Sequence, residues 1–64
     1  MQANILVIED EPAIREMVAF ALRTQSYNPI SAQDGKEALQ AIANKVPDLI
    51  LLDCGLLDIS GFEA

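Results

Sequence analysis

The chain has 64 residues, 52% of them apolar, and its 10 acidic and 4 basic side chains give a net charge of −6. A chain of this length is one domain at most, and its apolar content excludes a disordered tail. The charge disfavours contact of this segment with nucleic acid or an anionic membrane, and no apolar run approaches the ~20 residues that span a bilayer. Without a signal-peptide pattern, and with one cysteine and no histidine for a disulfide or zinc site, the chain is expected to be cytoplasmic.

The first half of the chain predicts a strand, a helix and a second strand. Residues 4–8 are a β-branched apolar run without polar alternation, which is typical of a strand covered on both faces in a parallel sheet. Pro12 suits the first turn of a helix that continues to about residue 24. Residues 27–32 predict a weaker strand, which Pro29 places at an edge because proline cannot donate to a ladder. The helix residues interpreted as packing are Ile14, Met17, Val18, Phe20, Ala21 and Leu22.

The second half of the chain repeats the pattern. Asp34 followed by Glu37 indicates the start of a helix that ends near Asn44. Residues 48–53, an apolar run bounded by acids, predict a third strand, and residues 60–63 would begin a third helix. The order β-α-β-α-β with short connections predicts an α/β fold. We expect a flavodoxin-like (CheY-like) doubly wound parallel sheet, incomplete in this chain, with strand one in the middle.

Three carboxylates follow strands whose carboxyl ends meet at one edge of the predicted sheet. Glu9 and Asp10 come directly after strand one, and Asp53 ends strand three. Like charges so close destabilise a site unless a cation or a proton intervenes, and Mg²⁺ is the natural cation because it prefers oxygen ligands. Phosphoryl transfer needs such an ion, and a carboxylate can act as its nucleophile. We therefore predict a Mg²⁺ site with Asp53 as the phosphoacceptor.

Acids at strand ends and helix starts also have structural explanations. Many of them cap helices or favour the positive end of the helix dipole, and we interpret Glu11 in this way. Asp48 is interpreted as strand-edge polarity. For Glu9 and Asp10 taken alone the structural and functional interpretations are evenly balanced, and for Asp53 alone the structural one leads. The triplet in this topology favours the functional interpretation.

Two segments of the chain resemble the receiver domain of two-component response regulators. They are Ile5–Pro12, which contains the acidic pair, and Pro47–Asp53. Within that family, residues 14–18 resemble the phosphate-regulon group, whose receivers precede a winged-helix DNA-binding domain. The resemblance covers essentially the whole chain. It implies that residues 1–64 are the N-terminal half of a receiver domain that controls transcription, with DNA contacted only through an output domain absent from this chain.

The resemblance also implies roles for individual residues. Glu9 and Asp10 would hold Mg²⁺, Asp53 would receive the phosphoryl group from a sensor histidine kinase, and the backbone carbonyl of Gly55 would complete the metal ligands. The family pattern is broken at Leu57, where proline is usual, and at Cys54-Gly55, where bulkier residues are common. The family's switch Ser or Thr and its Lys belong to the second half of the domain.

Other functions stay open at this point. A Mg²⁺-dependent aspartyl-phosphate phosphohydrolase would use the same acids, but its second Asp usually stands two residues after the nucleophile, where this chain has Gly55. The chain could instead be a structural assembly fragment with vestigial acids. An enzyme beyond a self-phosphorylating receiver is not expected. Because the edge of strand three is open in a half-domain, we expect self-association through it, or pairing with the missing half.

Overall fold

The computed structural model describes residues 2–52, and their elements follow the predicted order. The predicted boundaries of these elements are confirmed to within a residue, apart from the predicted end of the third strand. That end at Asp53, together with the predicted third helix, lies outside the described residues. The elements are β1 (Asn4–Ile8), α1 (Pro12–Thr24), β2 (Asn28–Ala32), α2 (Gly35–Asn44) and β3 (Leu49–Leu52).

The three strands form one parallel sheet in the order β2-β1-β3. This order confirms that strand one lies in the middle. Pro29 is in β2, at an edge of the described sheet, where its missing N–H is tolerated. At the carboxyl end of the sheet, Ile8 is in register with Ala32 on one side and with Leu52 on the other. The carboxyl ends of all three strands are therefore level with one another.

The core is built on β1, whose last four residues are all at least 92% buried. Leu6 and Ile8 pack with Ala32 and with Ala38 of α2, on one face of the sheet. Ile5 and Val7 alternate with them and lie on the opposite face. Both helices contact β1 and β2, whereas β3 contacts only β1 among the described elements. The sheet is thus well covered at β1 and open at β3.

One interpretation of α1 is wrong for the described part of the chain. Met17 and Phe20, interpreted as packing residues, are 63% and 65% exposed, and Ala19 is the buried residue of this helix. Ile14 and Ala21, interpreted in the same way, are exposed as well. The reason is that α1 lies against β1 and β2, and within residues 2–52 no element covers the helix face that carries Met17 and Phe20. Neither described helix has the length and hydropathy of a membrane span.

A polar cluster fixes the amino ends of the strands, at the edge opposite the acids. The backbone amide of Asn4 donates to Asp48 Oδ2 at 2.7 Å, and the backbone amide of Asp48 donates to the backbone carbonyl of Asn4 at 2.7 Å. Asn28 Nδ2 donates to Asn4 Oδ1, also at 2.7 Å. Asp48 therefore has a structural role in fixing the start of β3 against β1, in agreement with its interpretation as strand-edge polarity.

The end of α1 is a Schellman turn without its usual glycine. The Tyr27 amide donates to the Leu22 carbonyl and the Ser26 amide to the Arg23 carbonyl, both at 3.0 Å. Ser26 takes the left-handed position of this motif, with φ 68°. A side chain with a Cβ is strained in that conformation, whereas glycine adopts it freely.

We predict that Ser26→Gly stabilises the protein by about 0.5 to 1 kcal/mol, because relief of the left-handed strain exceeds the entropy that glycine adds to the unfolded chain. The free energy of unfolding in urea measures the effect. Ser26→Ala is the matched control, since it removes the hydroxyl but keeps the Cβ, and it should bring no gain. Equal stabilisation by both substitutions would show that the hydroxyl, and not the backbone, is the cause.

Candidate functional site

Glu9 lies directly after β1 and is a buried carboxylate, only 2% exposed. Its amide donates to the Ala32 carbonyl at 3.0 Å, which continues the β1 to β2 pairing by one residue. Its carboxylate oxygen Oε1 accepts a hydrogen bond from the Glu11 amide at 3.2 Å. Burying a carboxylate is costly without such compensation. The side chain of Glu9 is therefore held in a defined position at the end of the central strand.

Asp10 has a different environment from its neighbour. It occupies the bend between β1 and α1, and it is exposed to solvent. The two adjacent acids thus combine one fixed, buried carboxylate with one that a solvated cation can reach. The structure confirms that both lie at the carboxyl edge of the sheet, as the sequence predicts.

Glu11 occupies the N-cap of α1, with extended backbone at φ −87° and ψ 114°. Its position agrees with the capping interpretation, but its carboxylate makes no cap hydrogen bond. The carboxylate that bonds at this turn is that of Glu9. Pro12 at the first helical position needs no acceptor and has the φ that starts a helix.

Two other acids at this end of the molecule are occupied in capping. Asp34 Oδ1 accepts a hydrogen bond from the backbone amide of Glu37 at 2.9 Å, and Glu37 Oε1 accepts one from the backbone amide of Gln33 at 2.9 Å. These bonds confirm the predicted capping role of both residues at the start of α2. They provide a structural explanation for acids that could otherwise be assigned to a metal site.

Arg15 is a site residue that sequence reasoning missed. Its Nη1 donates to the backbone carbonyl of Glu9 at 2.8 Å, in a partly buried contact. Helical periodicity could not reveal this pair, because Glu9 precedes the helix and the spacing of six residues is not one at which side chains meet on a helix. The available signal was a cationic residue in the second turn of the helix that follows the acidic pair.

The end of β3 completes the described part of this edge. Leu52 is paired in register with Ile8, the residue before Glu9. A groove of about 220 Å³ opens beside them and is largely apolar. Its lining residues are Val7, Ile8, Glu9, Ile14, Val18, Leu51 and Leu52.

The structure brings together part of the predicted metal site. Glu9 and Asp10 are adjacent at the edge, whereas Asp53 and Gly55 lie outside the described residues. Within residues 2–52 no cluster of three or more potential metal ligands forms. The donors that are present are carboxylate oxygens, and the chain contains no histidine. This chemistry suits a hard cation such as Mg²⁺ and does not suit a soft metal.

Comparison with known proteins gives one family and several relatives. The response regulator receiver domain model matches residues 5–64. The chain is 44% identical over 63 residues to the phosphate regulon transcriptional regulatory protein PhoB of Escherichia coli, an alignment that covers 98% of the chain and 28% of that protein. It is 42% identical over 60 residues to the probable transcriptional regulatory protein TcrX of Mycobacterium tuberculosis, covering 94% of the chain and 26% of the relative.

A third relative is the transcriptional regulatory protein KdpE of Mycobacterium tuberculosis, 42% identical over 59 residues, with 92% of the chain and 26% of the relative covered. The chain therefore spans about a quarter of the length of these curated relatives. No solved structure gives a significant match. The family match over residues 5–64 shows that the chain belongs to the response regulator receiver domain family of two-component systems.

Proposed function

We propose that this chain supplies the phosphoacceptor of a two-component receiver, in which Asp53 accepts a phosphoryl group from a sensor histidine kinase in the presence of Mg²⁺. The observation that carries the proposal is the register of β1 and β3. Ile8 is paired with Leu52. The next residues in the sequence are the acids Glu9 and Asp10 after Ile8, and Asp53 after Leu52.

The donor set supports Mg²⁺ as the cofactor of this site. Glu9, Asp10 and Asp53 would hold the ion, together with the backbone carbonyl of Gly55. All of these ligands are oxygens, which Mg²⁺ prefers to nitrogen and sulfur. When bound, the ion neutralises negative charge on the phosphoryl group during transfer.

The transfer itself requires a single displacement. A carboxylate oxygen of Asp53 attacks phosphorus, the O–P bond forms, and the N–P bond to the kinase histidine breaks. The imidazole nitrogen keeps the electron pair of the broken bond, takes a proton from water, and leaves as neutral histidine. Glu9, fixed by its hydrogen bonds to Ala32 and Glu11, keeps its carboxylate in place through this step.

We also propose that phosphorylation controls transcription. The relatives PhoB, TcrX and KdpE are named as transcriptional regulatory proteins. A net charge of −6 disfavours contact of this segment with DNA, so DNA would be bound by a separate output domain. A phosphohydrolase is disfavoured because Gly55 stands where its second Asp is expected.

Asp53→Asn should abolish phosphorylation by a small phosphodonor in the presence of Mg²⁺, because the side-chain amide of asparagine is not a nucleophile at this site. The protein used is one that carries the complete receiver domain. Intact-mass analysis should show one phosphoryl group on the wild type, and none after removal of Mg²⁺. Glu16→Gln is the matched control, since Glu16 is an exposed acid of α1 in a surface ion pair with Arg23, and this variant should be phosphorylated normally. Phosphorylation of the Asp53→Asn protein would contradict the assignment.

The exposure of β3 supports a further part of the proposal, that residues 1–64 are the N-terminal half of a receiver domain. All four β3 residues are apolar and 36% to 54% exposed, although β1, of similar composition, is almost fully buried. One edge of β3 is unpaired within the described residues. Further strands and helices of the domain would cover these surfaces. In their absence, we propose that the chain self-associates through this edge.

Leu49→Lys should weaken self-association of the 64-residue chain, because a lysine on the open strand opposes pairing with a second copy. Light scattering over a range of concentrations measures the change. Leu39→Lys on α2 is the matched control, since Leu39 is also exposed, at 70%, and its substitution should leave the association unchanged. A wild-type chain that stays a monodisperse monomer at high concentration would contradict the proposed self-association.

A further inference from the structure

Contacts from β2 and α1 hold the backbone of Glu9. Its N–H donates to the Ala32 carbonyl of β2 at 3.0 Å. Its C=O accepts from Arg15 Nη1 of α1 at 2.8 Å. Since its carboxylate also accepts from the Glu11 amide, the residue is fixed at its amide, its carbonyl and its side chain.

The bond from Arg15 has a consequence for Asp10. The carbonyl of Glu9 belongs to the peptide group that ends at the Cα of Asp10, and the atoms of a peptide group lie in one plane. Fixing this carbonyl therefore limits the direction in which the exposed Asp10 carboxylate leaves the turn. Arg15 is suited to such a role because it is half-buried, while its guanidinium offers several donors in a rigid arrangement.

We propose that Arg15 is a positioning residue for the cation site: it fixes the Glu9 carbonyl and thereby holds Asp10 ready to bind a divalent cation. This inference rests on the proposed Mg²⁺ site. It concerns a residue that would not touch the metal and acts through the backbone of a ligand. Partners of this kind orient metal ligands, and their loss typically weakens metal binding by 10- to 100-fold.

A purely electrostatic role of Arg15 makes the opposite prediction. A positive charge near a cation site repels the cation, so removal of the guanidinium should strengthen Mg²⁺ binding. If positioning dominates, removal should weaken it. The sign of the change in affinity therefore separates the two roles.

The test is Mg²⁺ binding by calorimetry to the full-length protein and its Arg15→Met, Arg15→Lys and Arg23→Met variants. Arg15→Met keeps an apolar stem without donor or charge, and Arg15→Lys keeps a charge and a donor without the guanidinium. Arg23→Met is the matched control, because Arg23 is on the same helix and its substitution causes the same change in net charge. Arg23 forms an exposed ion pair with Glu16 at 2.8 Å, and it stands more than two helical turns along α1 from Arg15.

We expect Arg15→Met to bind Mg²⁺ about tenfold more weakly than the wild type. Arg15→Lys should recover part of the loss, and Arg23→Met should bind as the wild type does. Amide hydrogen exchange supplies a second readout: in Arg15→Met the Glu11 amide should exchange faster, while the β1 amides of Leu6 and Val7 keep their protection. Protection of β1 shows that the variant is folded, so that a loss of affinity reports on the turn.

Unchanged or stronger Mg²⁺ binding by Arg15→Met would overturn the inference and leave the proposed site intact. Equal weakening by Arg15→Met and Arg23→Met would also overturn it, because the effect would then not depend on the contact with Glu9. A wild-type protein that binds no Mg²⁺, or that binds it equally well after Asp10→Asn, would overturn the proposed site and this inference with it.

Discussion

β1 hydrogen-bonds to β2 on one side and to β3 on the other, and in both pairs the strands run parallel. Parallel pairing places the carboxyl ends of all three strands at one edge, where the connections to the helices begin. The register, with Ile8 level with both Ala32 and Leu52, then decides which residues meet there. A polar cluster of Asn4, Asn28 and Asp48 fixes the same register from the opposite edge. The acidic site depends on this pairing more than on any single contact among the acids.

The acids of the described residues differ in their hydrogen bonds and in their burial. Asp34, Glu37 and Asp48 are occupied by backbone hydrogen bonds that begin α2 and β3. Glu9 is buried and fixed, whereas Asp10 is exposed beside it. Glu9 and Asp10 follow the central strand, and Arg15 connects their turn to the first helix.

Much of this arrangement was predictable from local patterns. The apolar run of β1, Pro12 at the helix start and the Asp34 with Glu37 signature each predicted an element that the structure confirms. Contacts between distant groups were not predictable. The bond from Arg15 to the Glu9 carbonyl follows from how α1 packs on the sheet, and Met17 and Phe20 match a buried pattern yet are exposed because no described element lies against them. The roles of Asp53 and Gly55 stay predictions.

The central claim is that one divalent cation binds where the ends of β1 and β3 meet, and titration with Mn²⁺ tests it most directly. Mn²⁺ accepts the same oxygen ligands as Mg²⁺, and its unpaired electrons broaden the NMR signals of nearby amides. We predict that the amide signals of Asp10 and Leu52 broaden first and together, while those of Asn4 and Asp48 at the opposite edge stay sharp. Broadening that begins at Asp34, Glu37 or Asp48, or that reaches Asp10 without Leu52, would contradict the account.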